Sequence, residues 1–335
     1  MIIWGLELEP LEMRYTTQHA KWIKEGMCNS FMQYFPIKGE ILTESIEVGE
    51  FLDVLGTNYW KASQLQRVIS YIENKTIIKG DILFLFDIWN PAVISLAYIR
   101  DAMGIDLKFV GMCHDGTYDE WDFTTRCGME AWGEAFENSI FWIMDKIFVG
   151  SHYHKELICK KRCVNPDKII VTSWPFFQED PLGTPTKKEN IVIFPHRLNP
   201  DKAPEKFDEL ERKYKKSNWK FIKTQNLGLS KKDYYELLNK SKIAVSFSKL
   251  ECFGISMREA VLAGCLPLVP NRLAYSETFP TLFQYKGIDD FYEKIDLFMN
   301  SDGFYQTVLE NLKKKILEKG KKAIPYMIKE ILNIE

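Results

Sequence analysis

The chain has 335 residues, 46% apolar and 27% charged, with a formal net charge of −2. That is the composition of ordinary globular proteins, and it excludes disordered, collagen-like and small disulfide-scaffold classes. At about 150 residues per domain, the length fits two domains. The longest unbroken apolar runs, 82–86 and 140–144, have five residues, far short of the ~18 that cross a bilayer. The opening MIIWGLELEP lacks the basic stretch of a secretory signal, so a cytoplasmic protein without integral membrane contact is expected. The seven cysteines form no C-x-x-C pair and read as reduced thiols, with no metal site expected. Charge is uneven: residues 1–175 carry 17 basic and 24 acidic groups (−7), residues 176–335 carry 27 and 22 (+5). The second half suits an anion, but without the basic excess of most nucleic-acid binders.

In chain order, Met1–Leu8 reads as a buried strand and Thr17–Gly26 as a helix closed by glycine. Gly80–Ile88 reads as a strand, Pro91–Met103 as a helix with proline in its first turn, and Leu107–Cys113 as a strand. Asp145–Val149, a helix from Ser151 to Ile158 and Lys168–Thr172 continue the alternation. Strand, helix, strand in succession implies parallel pairing. Phe176–Asn190 holds two prolines, a glycine and five charges without periodicity, which marks a linker and a boundary near residue 180.

Beyond the linker the pattern restarts with strand Ile191–Pro195, helix Lys202–Lys213, strand Trp219–Thr224, helix Lys231–Asn239, strand Ile243–Phe247, helix Ser256–Ala263 and strand Leu266–Val269. The tail from Phe304 to Ile334 reads as a Lys-rich helix broken at Gly320 and interrupted at Pro325; Lys313, Lys314 and Lys315 form a solvated face or a nucleic-acid contact. The expected fold class is α/β, with two doubly wound parallel-sheet domains at 1–178 and 190–317 and the segment 318–335 packing back on the first. Such sheets bind ligands at the carboxyl ends of their strands, so a cleft between the domains is the expected place for chemistry.

In Ser248-Lys-Leu-Glu251-Cys-Phe-Gly254-Ile255-Ser256-Met-Arg-Glu259 a strand runs through a loop into a helix. Gly254 permits a positive φ, and Ser256 with Glu259 three residues on has the form of a capping box. The amides of Ile255, Ser256 and Met257 would then offer an anion site suited to a diphosphate. Glu251 and Glu259 could grip vicinal sugar hydroxyls, unless Glu259 only closes the capping box. In Phe194-Pro-His196-Arg197-Leu-Asn-Pro-Asp-Lys202 the two cations flank the same crevice. They could neutralise a departing phosphate, or be a solvated pair.

The order Arg197-x4-Lys202, Glu251-x-Phe-Gly254, Glu259-Ala, Ala263-Gly264-x-x-Pro267 and Glu277 resembles the donor domain of GT-B glycosyltransferases of the large retaining group called family 4. The resemblance covers about residues 145–285. It implies a GT-B fold, a nucleotide-sugar co-substrate linked to UDP or GDP, and no other cofactor. It places Arg197 and Lys202 on the diphosphate, Glu259 on the ribose, Glu251 on the transferred sugar or its phosphate, and Glu277 beside the nucleotide. No Asp-x-Asp occurs, so the metal-dependent GT-A alternative loses its main sign and no metal is expected.

In the first half, His114 follows a strand and resembles the histidine with which that family contacts the donor sugar's outer hydroxyl. Asp115 could stabilise charge at the sugar carbon or accept the acceptor proton; otherwise it is a turn carboxylate before Gly116. The family's Gly-rich loop is absent, replaced by Glu7-Leu-Glu9-Pro10-Leu-Glu12-Met-Arg14-Tyr15-Thr16-Thr17-Gln18. Arg14, Tyr15, Trp89, Tyr118 and Trp121 are expected on the acceptor side, against the alternative of surface turns with buried tryptophans.

The stretch Glu9–Thr16, together with His114-x-Gly116-Thr117-Tyr118-Asp119, is similar to bacteriophage glycosyltransferases that decorate hydroxymethylated pyrimidines in DNA. This second resemblance implies a double-stranded DNA partner with the modified base flipped outward, and the host cytoplasm as location. Two other readings stay open. One is a polysaccharide or lipid-linked acceptor, with Lys21, Trp22 and Lys24 as its surface sign; the other is an inactive GT-B module that binds a nucleotide sugar or nucleic acid.

Overall fold

The computed structural model describes residues 1–10, 15–42, 53–301 and 303–334. They form two compact units, Met1–Pro175 with Gly320–Glu335, and Phe176–Lys319. The first unit holds six parallel strands, β1 (Ile3–Leu6), β2 (Tyr34–Ile37), β3 (Ile82–Leu85), β4 (Lys108–Met112), β5 (Lys146–Val149) and β6 (Ile169–Val171), in the order β2-β1-β3-β4-β5-β6. Helices α1 (Thr16–Asn29), α2 (Val54–Glu73), α3 (Ala92–Met103), α4 (Phe123–Arg126), α5 (Glu130–Ile143) and α6 (His152–Lys161) connect them. The central strands are apolar throughout because both faces are covered: all four residues of β3 are buried.

One buried carboxylate registers the start of this sheet. Asp81 accepts from the Ile2 amide (2.8 Å), the Trp4 indole N–H (3.0 Å) and the Ile78 amide (3.2 Å), so β1 and β3 are pinned at their amino ends. The edge strand β2 carries Pro36, which has no donor to offer a sheet and is tolerated at an edge.

The second unit holds β7 (Glu189–Phe194), β8 (Lys220–Lys223), β9 (Ser241–Val245), β10 (Leu266–Pro270) and β11 (Gln284–Tyr285), parallel, in the order β11-β10-β9-β7-β8. Its helices are α7 (Pro204–Lys213), α8 (Lys231–Lys240), α9 (Ile255–Leu262), α10 (Tyr275–Thr278) and α11 (Ile288–Met299). The helix expected over Lys202–Lys213 is split into a 3-10 turn, Pro200–Lys202, and α7. Pro204 is the cause: the residue before a proline is driven from the right-handed helical region, and Ala203 sits at φ 51°.

The last helix, α12 (Gln306–Leu332), runs unbroken through Gly320 and Pro325, against the interruption expected there. A glycine costs a helix only about 1 kcal/mol and Pro325 about 3 kcal/mol. Against that, Leu309, Leu312, Ile316, Ala323, Ile324, Met327, Ile328 and Ile331 form a buried stripe, each large side chain worth about 1.5–3 kcal/mol. Gly26 of α1 makes room for this helix, since a Cβ there would lie 2.5 Å from Ile324 Cδ1. Among the described residues no helix is long and apolar enough to cross a membrane.

Each sheet has one point where the strand order reverses, between β1 and β3 and between β7 and β9. Connections leave in opposite directions there and open a crevice at the carboxyl ends, where ligands of such sheets bind.

Candidate active site

In the second unit the chain leaves β7 through Pro195-His196-Arg197 and leaves β9 through 246–254 into α9. Asp201, fully buried, holds both expected cations: Arg197 Nη2 at 2.9 Å and Lys202 Nζ at 3.4 Å from the same oxygen. Burial pushes the Asp201 carboxyl up, but Lys202 and Arg197 outweigh it and hold it below the usual carboxylate range. The Arg197 side chain keeps 31% of its surface exposed and Lys202 only 9%, so the guanidinium is the group a ligand reaches first.

Lys202 also donates to the Leu250 carbonyl and lies 3.3 Å from Glu251 Oε2. Glu251 is turned inward. Its Oε1 accepts from the Gly254 amide (2.7 Å) and Oε2 from the Tyr275 hydroxyl (3.3 Å). Burial raises this carboxyl, while Lys202 and the Gly254 amide lower it further, and the net is a group held below its ordinary value. In this structure Glu251 positions Lys202 and the loop before α9. Gly254 is required at φ +83°, and a Cβ there would stand 2.8 Å from the buried Tyr275 ring.

The expected capping box does not form. The chain enters α9 through left-handed Gly254, so Gly254 is the N-cap and Ser256 is already the second helical residue. The Ser256 hydroxyl instead lies 3.1 Å from His196 Nδ1. Glu259 is buried and accepts from Lys231 Nζ (2.7 Å), Tyr235 (3.0 Å) and Tyr234 (3.1 Å), which clamps α8 to α9. The amides of Ile255, Ser256 and Met257 lie in the first turn, where no intrahelical acceptor exists. Glu277 is exposed on the single turn α10.

In the first unit, His114 follows β4 at the sheet's carboxyl end. Its Nε2 lies 2.7 Å from the Phe86 carbonyl and therefore carries the proton, leaving Nδ1 to accept from Tyr15 Oη at 3.2 Å. Burial lowers its pKa, and Lys61 adds to that against the opposing pull of Asp87 and the Phe86 carbonyl. Asp115 Oδ1 accepts the Gly116 amide at 2.9 Å, the contact of a turn carboxylate.

Tyr118, expected on the acceptor side, is a core residue with 4% exposure; its hydroxyl lies 2.6 Å from His154 Nε2. The aromatic ring was drawn inward by the apolar surroundings it fills. Trp89 and Trp121 are half-buried, with indole N–H groups on Glu137 (3.0 Å) and Glu120 (3.1 Å). Arg14 lies outside the described residues.

Several participants carried no readable signal. Glu137 accepts from the Thr117 amide (2.6 Å), the Thr117 hydroxyl (2.9 Å), Trp89 and Arg162 Nε (2.8 Å). One carboxylate thus fixes both loops that follow β3 and β4. Lys61 of α2 donates to Asp87 (2.9 Å) and to the Trp89 carbonyl (2.7 Å). In the second unit the unforeseen groups are His196, Asp201 and Tyr275. Asp201 alone had a local sign, its i+4 spacing from Arg197.

Two parallel-sheet Rossmann-like units in one chain are the architecture of the GT-B fold, and solved structures similar to this one bear it out. No protein-family model matches the chain. An α,α-trehalose-phosphate synthase (UDP-forming) of Burkholderia vietnamiensis superposes with a TM-score of 0.65 at 9% identity, over 98% of both chains. The lipopolysaccharide outer core galactosyltransferase WaaB gives 0.61 at 11% identity, over 96% of this chain and 98% of its own. S. aureus TarM, solved with UDP and α-GlcNAc-glycerol, gives 0.60 at 18% identity, over 81% of this chain and 59% of TarM. In sequence, the chain is 35% identical to the tRNA-queuosine alpha-mannosyltransferase of Drosophila melanogaster over 78 residues, 23% of this chain and 19% of that protein. The match therefore spans less than a fifth of that relative's length.

Proposed function

We propose that this protein is a glycosyltransferase that moves a sugar from a nucleotide diphosphate to a hydroxyl acceptor, with retention and without a metal. The observation that carries the reading is the network Arg197–Asp201–Lys202–Glu251 at the switch point of the second sheet, beside the first turn of α9. As the bond from the sugar carbon to the diphosphate oxygen breaks and the acceptor oxygen bonds to the same carbon, negative charge grows on the departing phosphate, which takes up the acceptor's hydroxyl proton. Arg197, Lys202 and the amides of Ile255, Ser256 and Met257 stabilise that charge, and because Asp201 and Glu251 already hold the cations, little reorganisation is needed. In the first unit, neutral His114 offers Nδ1, which now accepts from Tyr15, as an acceptor for a sugar hydroxyl, and Asp115 follows it in sequence. Glu259 reaches the ribose in exchange for its tyrosine partners.

The acceptor in this reading is a hydroxyl on a nucleoside within nucleic acid, with the hydroxymethyl group of a modified pyrimidine in phage DNA as the first candidate. Three things support it. They are the similarity of Glu9–Thr16 and His114–Asp119 to phage DNA glycosyltransferases, the +5 charge of residues 176–335, and a relative whose name specifies a tRNA nucleoside.

The test is to incubate purified protein with UDP- and GDP-sugars and EDTA, adding hydroxymethylcytosine DNA, hydroxymethyluracil DNA or tRNA, and to weigh the digested nucleosides. A hexose or pentose adduct is expected on the DNA base. An adduct on tRNA alone moves the acceptor within nucleic acid, donor turnover without a nucleoside adduct moves it to saccharides or lipids, and no turnover with any donor overturns the enzyme reading.

A further inference from the structure

His196 is placed where a nitrogen is costly. Its side chain is 95% buried (5% exposed) and packs edge-on against Phe194 at 5.0 Å. Nδ1 lies 3.1 Å from Ser256 Oγ, and Nε2 has no hydrogen-bond partner among the described residues. An unpaired buried polar atom costs about 1–3 kcal/mol, and an apolar side chain would fill the same space without that penalty. The histidine joins the two sides of the switch point: it precedes Arg197 after β7, and Ser256 stands in the first turn of α9.

The ring is neutral, since burial and the nearby Lys202 push its pKa down to about 3, so it carries one proton and has two tautomers. If Ser256 donates to Nδ1, the hydroxyl proton is turned toward the ring and away from any ligand. If Nδ1–H donates to Ser256, the hydroxyl proton is free to point to an anion at the first turn.

On the donor-site reading above, we infer that His196 is a positioning residue for the donor diphosphate: its Nδ1–H tautomer aims the Ser256 hydroxyl at a phosphate oxygen. Occupancy by an anion selects this tautomer, and Nε2 is left as an unprotonated lone pair in the core. The arrangement makes the hydroxyl a donor of fixed direction beside the first-turn amides, where charge-assisted hydrogen bonds are strongest.

The experiment measures binding of UDP, GDP and uridine by calorimetry to the full chain and to His196→Gln, His196→Asn, Ser256→Ala and the double variant His196→Gln/Ser256→Ala. Asparagine keeps a donor near the Nδ1 position and glutamine does not. For whichever diphosphate binds, His196→Gln and Ser256→Ala are each expected to weaken it about ten- to hundredfold, the range of one hydrogen bond to a charged group. The double variant should be no weaker than either, His196→Asn should recover most of the affinity, and uridine binding should stay unchanged.

Wild-type affinity in His196→Gln, additive losses, or equal loss of uridine overturns the inference while leaving the donor reading intact. No binding of either diphosphate to the wild type overturns both. Should the variants fail to fold, 15N NMR of the wild-type histidines decides. Addition of pyrophosphate is expected to leave the proton of one buried imidazole on Nδ1, and persistence of the proton on Nε2 overturns the proposal.

Discussion

Lys202 and Glu251 are 49 residues apart in sequence, yet Nζ and Oε2 lie 3.3 Å apart, joining the loop after β7 to the loop after β9. The same carboxylate accepts the Gly254 amide. A single side chain therefore sets both the position of a cation and the entry into α9. Glu251→Gln keeps an acceptor for the amide and removes the charge opposite Lys202. Donor turnover should fall about ten- to hundredfold, as for loss of a hydrogen bond to a charged group, with about 3 kcal/mol lost in urea unfolding. Lys202→Met should give a similar loss, and the double variant should be far from additive. Additive losses would show that Glu251 acts on the sugar independently of Lys202.

Arg197 is the more exposed of the two cations and contributes less to the core. Arg197→Ala should cut kcat about 10²–10³-fold, the usual cost of removing one group that stabilises developing charge, while the melting temperature moves by only a few degrees. Arg197→Lys should recover little, because a lysine cannot present a planar fork to a phosphate. Steady-state kinetics beside thermal melts separates these effects.

Glu137 and Arg162 are a buried pair, with side-chain exposures of 2% and 6%. Glu137→Ala leaves the guanidinium buried without its carboxylate and should destabilise the protein by about 3–5 kcal/mol in denaturant unfolding. The variant also frees the Trp89 indole N–H, so its emission should shift to longer wavelength before the global transition.

Stability should fall with acid earlier than carboxylates alone would make it. Burial drives His19, His154 and His196 each down to about 3 from an ordinary 6.5. Their unfolded-state pKa is the higher one, so the stability they contribute is complete above about pH 6.5 and is lost as the pH falls toward 3. Each contributes a slope of about 1.4 kcal/mol per pH unit in that window. Asp201 and Glu251, held below the usual carboxylate range, add a further loss at the acid end. Urea midpoints at pH 7.5, 6 and 5 measure the slope, and His154→Gln should reduce it by one histidine's share.

The doubly wound pattern was legible because both faces of each central strand are covered, which leaves apolar runs such as 82–85 between turn formers. Elements without that signature were not read: Tyr34–Ile37 is a half-exposed edge strand containing proline, and Val54–Glu73 follows it with mixed polarity. At the candidate site, residue types were readable and directions were not. Glu251 and Glu259 turn inward because Lys202 and Lys231 stand behind them, and those lysines lie 49 and 28 residues away in sequence. The Ser256–Glu259 spacing suggested a cap, but the left-handed Gly254 shifts the helix start past it. Glu137 has no local pattern at all, since its partners come from three other elements.

The first unit is discontinuous in sequence, because its residues 1–175 are completed by turns of α12 that follow the whole second unit. During synthesis, residues 176–319 are all present before Ile324 can fill the space left by Gly26. The second unit can therefore be complete while the first still exposes an unfilled apolar face on α1. A chain stopped at residue 319 would be left in that condition permanently, and the vulnerable species in the life of this protein is one with a finished carboxyl-terminal unit and an unsealed amino-terminal one.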